Sequence, residues 1–138
     1  MSELDNLYNQ QSSYRAQKAQ REAERAAVKK KIERLEAAKA KVTLAKTDAE
    51  TAKDYIANKL ETHADSWTGS VYNAVDDIHK SGVNPKFNAY YEDVDYVLDA
   101  ICDEITKLEN ENRNLGYILN SIVNALNDIG NEIEKWLN

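Results

Sequence analysis

The strongest constraint on this chain is a heptad pattern in its second half. From Phe87 to Trp136 the spacing of apolar residues alternates between four and three without a slip. Such a repeat places the apolar residues on one stripe of an α-helix, and that stripe has to be covered by another helix. Fourteen of the fifteen positions on this register, which we call the seam, are apolar; the seam comprises Phe87, Tyr91, Val94, Leu98, Ile101, Ile105, Leu108, Asn112, Leu115, Leu119, Ile122, Leu126, Ile129, Ile133 and Trp136.

Asn112 is the single polar residue on the seam. A lone polar residue at such a position typically fixes the register and the number of packed helices, at some cost in stability. We therefore expect Asn112 to set the register of this helix against its partner.

The first half of the chain predicts one long helix, from about residue 4 to about residue 63. Its apolar residues follow the same alternating register, but many positions on that register are polar or have long charged side chains. This leg is therefore expected to be a poor zipper on its own. The apolar positions are Leu4, Leu7, Tyr14, Val28, Ile32, Leu35, Val42, Ala49, Ile56 and Leu60.

A short polar turn lies between the two legs, close to the midpoint of the 138 residues. Within it, Trp67 can be clamped where two helices diverge, and Gly69 would allow a positive φ or a close backbone approach. With four glycines and one proline in the chain, few other breaks are expected. The sequence thus predicts an all-α fold: a single domain over residues 1–138, built as an elongated antiparallel helical hairpin or coiled coil with its turn at about 64–69.

The second leg, about 70–136, carries one interruption, at residues 81–85. Gly82 suits the position after a helix C-terminus, Asn84 suits an N-cap and Pro85 suits the first turn of a new helix. We expect a kink or short loop here within the second leg, not a domain boundary. The segment before it predicts about three helical turns with Val71, Val75 and Ile78 on one face.

The triplet Trp67-Thr68-Gly69 between two long helices resembles the signature of the WXG100 superfamily. These are small helical-hairpin proteins of type VII (ESX-like) secretion in Gram-positive bacteria. The layout is most similar to their longer relatives, encoded beside LXG toxins, in which a short helix, a glycine-containing break and a second long helix follow the triplet. The likeness covers the whole chain in architecture, but its only sharp motif is three residues long.

The resemblance implies an accessory or targeting protein, acting as a chaperone or adaptor. It would bind the helical N-terminal domain of a toxin, or a second small WXG-like protein, in an export-competent helical bundle. It implies a cytoplasmic protein when folded with its partner, and export to the cell surface or medium by a leaderless route. The N-terminus lacks a basic and then apolar signal segment, and no apolar run approaches the about 18 residues needed to span a bilayer.

Secretion substrates of this type carry a Y-x-x-x-D/E element after their second helix. Two segments match it here: Tyr72 with Asp76, and Tyr91 with Asp95. Both lie within the second leg, and Tyr91 is on the seam, so the chain departs from the usual C-terminal placement. That departure weakens the idea that this protein carries a secretion signal by itself.

Charge is distributed unevenly along the chain, whose net charge is −6. Residues 1–63 carry 13 basic and 10 acidic side chains, whereas residues 64–138 carry 5 and 14. Folding about residue 68 would place the basic run 29–41 opposite residues 95–107, where Asp95 and three other acidic residues lie. Interleaved glutamates and the absence of aromatic residues in the basic region favour a solvated face over nucleic-acid or membrane binding.

No catalytic, cofactor or metal site is expected. Asp76 and His79 have the spacing used in di-iron bundles, but no second copy or further carboxylates accompany them, so a solvated helix end is the better interpretation. His63 suits a cap at the C-terminus of the first helix. Cys102, the only cysteine, fits a chain folded in a reducing cytosol.

A second set of apolar residues lies away from the seam on the second leg. Tyr90, Val97, Tyr117 and Ile118 would stay wet in a two-helix hairpin, and we expect them to contact a partner helix. Two alternatives remain open at this point. The same stripes could meet in a homodimer or larger self-assembling scaffold, or the protein could be an antitoxin or immunity protein that masks a toxin's catalytic domain.

Overall fold

The fold is all-α. The computed structural model describes residues 2–63 and 69–138, with the side chains of residues 61–63 left out of the description. Helix α1 is Glu3–His63, α2 is Gly69–Ile78 and α3 is Asn84–Leu137, with a π-helical turn, His79–Val83, between α2 and α3. No strand occurs in these ranges, and α1 and α3 pack against each other, which confirms the predicted helical hairpin.

The packing contacts fall into two compact units. The first unit is Met1–Arg34 with Glu104–Asn138, and the second unit is Leu35–Asp103, which contains α2 and the π-helical turn. In the second unit a part of α1 runs antiparallel to a part of α3, since Lys46 pairs with Asp95 and Lys53, further along α1, pairs with the earlier Asn88. In the first unit Arg25 of α1 contacts Asn112 of α3.

The core of the first unit is the predicted seam of α3. On the α1 segment of this unit, Val28 is also buried. Because each helix buries only one stripe, no described side chain falls below 2% exposure, so this core is thin. Asn112 and Leu126 are half-buried, and Trp136, next to the end of α3, is exposed. The buried seam residues of this unit are Ile105, Leu108, Leu115, Leu119, Ile122, Ile129 and Ile133.

The second unit uses charged side chains where its α1 segment lacks apolar ones. Lys46 Nζ lies 2.6 Å from an oxygen of Asp95, and Lys53 Nζ lies 5.6 Å from the centre of the Tyr91 ring. The long aliphatic stems of these lysines cover the seam while their charged ends reach polar or aromatic groups. Polar seam positions on α1 are therefore compatible with helix packing.

The predicted pairing of charges between the legs was wrong in detail. Asp95 binds Lys46, not Lys41, which folding about residue 68 would have placed there. Among the described residues, the basic run 29–41 forms no ion pair with α3. Exposed ion pairs contribute about 0 to 1 kcal/mol each, too little to hold the register against seam packing.

The predicted interruption falls in the right place but is neither a loop nor a capped helix end. Asn84 has helical torsion angles, φ −59° and ψ −47°, and its N–H donates to the carbonyl oxygen of His79, five residues earlier. Gly82 has no positive φ. A π turn holds one residue more than the usual interval, so the chain accommodates Pro85, which cannot donate an N–H, without leaving the helix.

The orientation of α2 differs from the sequence expectation for His79. His79 is buried, not part of a solvated helix end, and Tyr72 and Asp76 on the same side are partly buried. Val71 and Ile78, by contrast, are 49% and 64% exposed. The side of α2 that faces inward is the side that continues the seam of α3. The seam decides this because it buries far more apolar surface than α2 can offer.

The predicted turn falls between the end of α1 and the start of α2, and its residues 64–68, including Trp67 and Thr68, lie outside the described residues. Gly69 is the first residue of α2, and one of the two reasons suggested for a glycine there, a positive φ, was wrong. A Cβ built on it would meet no described atom within 4 Å, and the close backbone approach stays a prediction because residues 64–68 lie outside the described residues. His63 ends α1, and its predicted capping side chain is also outside the description.

Candidate partner-binding surfaces

A polar layer crosses the core of the first unit. The Nε atom of Arg25 donates a hydrogen bond of 2.9 Å to Oδ1 of Asn112, and the pair is partly buried. Thus Asn112, the predicted register-setting residue, has a charged partner on α1. Sliding the helices past each other would separate the two groups, which is how such a layer would favour one register.

Gly116 provides the space for this layer. A Cβ built on it would lie 3.1 Å from Nη2 of Arg25 and 3.4 Å from its Cζ. The guanidinium group therefore occupies the place where a side chain at position 116 would begin. Sequence reasoning missed Arg25 and Gly116; the available signal was a glycine one turn after the polar seam residue.

The predicted partner-binding residues of the first unit are exposed. Tyr117 is 63% exposed, and Ile118 and Val123 are also exposed. Tyrosine and isoleucine on a rigid helix offer apolar area that loses little side-chain freedom on binding. This unit therefore presents a helix surface suited to contact with another helix, and nothing in the described structure covers it.

In the second unit, Tyr90 and Val97 border a groove between α1 and α3. Tyr90 separates two apolar hollows with volumes of about 420 and 270 Å³. The larger is lined by Ala49, Val83, Lys86, Phe87 and Tyr90. The smaller is lined by Val42, Ala45, Tyr90, Asp93, Val94 and Val97.

The predicted secretion-recognition residues are engaged within the chain. Tyr91 is half-buried on the seam; burial, followed by the nearby carboxylates of Glu50 and Asp54, raises the pKa of its phenol. Asp95 accepts a hydrogen bond from Lys46, which raises the pKa of that lysine. Tyr91 is not freely presented, whereas Asp95 is exposed but ion-paired, and their role in recognition stays a prediction.

The other matching pair lies on the inward side of α2. Asp76 is 2.8 Å from Lys80 Nζ, and this hydrogen-bonded carboxylate raises the pKa of Lys80. Tyr72 is half-buried and makes contacts of its own. The structure thus brings Tyr72 and Asp76 to one side of the second unit but does not test whether they are recognised.

The inner side of the second unit also holds buried polar atoms without hydrogen-bond partners in the described structure. They are His79 Nε2, Asn84 Oδ1 and the Tyr91 hydroxyl. A buried polar atom without a partner costs folding free energy. At the α2 end of this unit, buried polar atoms therefore lack hydrogen-bond partners, unlike in the heptad core of the first unit as far as it is described.

Residues 2–60 and 69–138 include no group of three or more His, Cys, Asp or Glu side chains that could hold a metal ion. No described helix combines the length and apolarity required to cross a membrane. The apolar surfaces described above are the exposed region around Tyr117 and Ile118 and the groove around Tyr90.

Comparison with known protein families gives a match over most of the chain. A family model described as YwqH-like matches residues 9–131, which is most of the chain. No curated protein and no solved structure matches it.

Proposed function

We propose, from the premise that this chain belongs to the YwqH-like family, that it is an accessory protein of type VII secretion. In this proposal it binds the helical N-terminal domain of a toxin, or a second small WXG-like protein, and holds that partner in an export-competent helical bundle. The toxin class and the secretion route come from the resemblance of the Trp67-Thr68-Gly69 layout to the WXG100 superfamily and the LXG-associated proteins.

The observation that carries the proposal is the exposed apolar surface of α3 beside a thin core. In the first unit Tyr117 and Ile118 are exposed on a helix whose opposite side forms the buried seam. In the second unit Tyr90 and Val97 border an apolar groove. Both surfaces lie on helices that are already formed, so a helical partner could bind without first ordering this chain.

The proposed mechanism is burial of apolar stripes on both partners. A partner helix that packs on Tyr117 and Ile118 would turn the two-helix packing of the first unit into a three-helix arrangement and remove the exposed apolar side of α3 from water. Fully burying a side chain of this size contributes about 1.5 to 3 kcal/mol, and less when it is already half-covered. The excess of acidic residues on the second leg would favour a partner helix with basic residues at its edges.

The test is co-expression of the full chain with the helical N-terminal region of LXG toxins from the same genome, followed by co-purification. We expect a stable complex with one of them, which Tyr117→Glu combined with Ile118→Glu abolishes. The matched control is Lys135→Glu, which changes an exposed residue near the end of the same helix. Unchanged thermal unfolding of the doubly substituted chain would establish that its loss of binding is not loss of folding.

Three outcomes would contradict the proposal in different ways. Failure to bind any toxin region would remove the adaptor function. Binding to the catalytic C-terminal domain would indicate an immunity protein instead. Binding that the double substitution leaves intact would keep the function but move its surface away from Tyr117 and Ile118.

A further inference from the structure

The second unit displays exposed apolar residues and apolar hollows on one side of the same helical leg. Val71, Ile78, Tyr90 and Val97 each immediately precede an inward-facing residue: Tyr72, His79, Tyr91 and Leu98. Each of the four stands one position before an inward-facing residue, both before and after the π-helical turn. All four therefore lie on one flank of α2 and α3. Tyr90 and Val97 line the groove on this flank, whereas Val71 and Ile78 project from it.

The spacings of the projecting residues and of the hollows are equal. Val71 and Ile78 are seven residues apart, which is about 10.5 Å or two helical turns. Along the second leg, counting Val83 of the π-helical turn with the residues of α3, the lining of the larger hollow centres on positions 86–87 and that of the smaller on positions 93–94, again seven residues apart. A helix carrying Val71 and Ile78 therefore has the correct spacing to fill both hollows together.

The residue between Val71 and Ile78 on α2 and the residue between the two hollows on α3 also fit each other. Tyr90 separates the two hollows. Ala74, which lies between Val71 and Ile78 and is exposed, has a small side chain that leaves room for the Tyr90 ring. The partner that fits this groove is thus a helix with a large, small, large pattern, and α2 has that pattern.

We propose that the second unit pairs with a second copy of this chain, antiparallel about a two-fold axis near Gly82. In this arrangement Ile78 of each copy enters the larger hollow of the other, Val71 enters the smaller, and Ala74 faces Tyr90. One rotation produces all of these contacts twice, as in isologous dimers. Opposed helices run from Gly69 to Val97, about 40 Å of contact.

Charge complementarity supports the same pairing. The rotation that brings Ile78 to the larger hollow also brings Asp77 of one copy beside Lys86 of the other. Both residues are exposed, and within the described structure neither forms an ion pair in its own chain. Two symmetric Asp77–Lys86 pairs at the edge would favour the antiparallel orientation and add little to affinity.

The dimer has a functional consequence but does not depend on the function proposed above. It covers Tyr90 and Val97, which that proposal assigns to a partner. Self-association and partner binding would therefore exclude each other on this surface, while Tyr117 and Ile118 belong to the other unit. With its small contact, the dimer would have a Kd on the order of 10 μM, weak enough for a tighter partner to displace the second copy.

The first test uses cross-linking at the predicted axis. In a Cys102→Ser background, Gly82→Cys would bring the two introduced thiols together, and a short bismaleimide should join the copies at protein concentrations near the Kd. Gly130→Cys is the matched control, because a Cβ at either glycine meets no described atom within 4 Å. We expect at least about tenfold faster cross-linking at position 82, and equal rates would overturn the proposal.

The second test is sedimentation equilibrium of the full chain. Ile78→Glu should weaken dimerisation at least about tenfold, whereas Tyr96→Glu, at an exposed position of the same unit off this flank, should leave it unchanged. Asp77→Lys and Lys86→Asp should each weaken the dimer and together restore it. A chain that stays monomeric at about 100 μM would refute the arrangement, and so would a dimer whose Kd is unchanged by Ile78→Glu. Neither result would bear on toxin binding.

Discussion

The contact between Gly116 and Arg25 yields a quantitative test of the polar layer. Replacing an interior helical glycine with alanine stabilises a helix by about 1 kcal/mol. At Gly130, where a Cβ meets no described atom within 4 Å, this full gain is expected. At Gly116 the new Cβ would lie 3.1 Å from Nη2 of Arg25, so the guanidinium group has to move.

That movement has a cost. Arg25 would lose or distort its 2.9 Å hydrogen bond to Asn112. A hydrogen bond to a charged group contributes about 1.5 to 3 kcal/mol when buried, and about 1 kcal/mol is appropriate for a pair that is only partly buried. The gain and the loss nearly cancel, so Gly116→Ala should change the free energy of unfolding by about 0 kcal/mol, while Gly130→Ala raises it by about 1 kcal/mol.

The assay is urea unfolding, followed by circular dichroism at one fixed protein concentration, of four chains: wild type, Gly116→Ala, Arg25→Ala and the double variant. In the Arg25→Ala chain, Gly116→Ala should raise the free energy of unfolding by the full amount of about 1 kcal/mol. The coupling energy between the two positions is then about 1 kcal/mol. If Gly116→Ala stabilises the wild type and the Arg25→Ala chain equally, the glycine does not make room for the arginine and the reasoning fails.

Three further predictions concern the seam, its buried hydroxyl and its ion pair. Leu115→Ala should lower the free energy of unfolding by about 3 kcal/mol by emptying a buried seam position, while Leu137→Ala, at an exposed site, should change it by less than about 0.5 kcal/mol in the same urea titration. Because burial raises the pKa of Tyr91 above its ordinary value of 10.0, the folded state resists ionisation of the phenol. The resulting stability is complete below pH 10.0 and is lost as the pH rises through the folded-state pKa, so Tyr91→Phe should unfold at a higher pH than wild type; coincident alkaline transitions would contradict this. Lys46→Met should lose only the screened attraction to Asp95, so its urea midpoint should approach that of the wild type as salt shortens the Debye length from about 10 Å to about 3 Å; a salt-independent difference would assign the effect to packing.

Several features of this protein follow from its sequence alone. An uninterrupted alternation of four and three residues requires a helix with one apolar stripe, so the seam of α3 and its antiparallel cover could be predicted. The scarcity of glycine and proline fixed the long helices, and Tyr117 and Ile118 were recognisable as exposed because they fall off the stripe. These properties are local, since periodicity assigns each side chain a direction relative to its own helix axis.

Other features required the tertiary structure. Whether Gly82 and Pro85 break the helix or widen it into a π turn depends on which carbonyl oxygen accepts the hydrogen bond from the Asn84 N–H. Because the helix continues through that turn, the side of α2 that faces inward is set by the side of α3 that forms the seam. This continuity places His79 inside and Ile78 outside, against what the short helix alone suggests. Likewise Arg25, Gly116 and the groove around Tyr90 are defined by residues far apart in sequence. Helical periodicity decides which side of a helix is apolar, but only the packing of two helices decides which polar groups meet and where space is left between them.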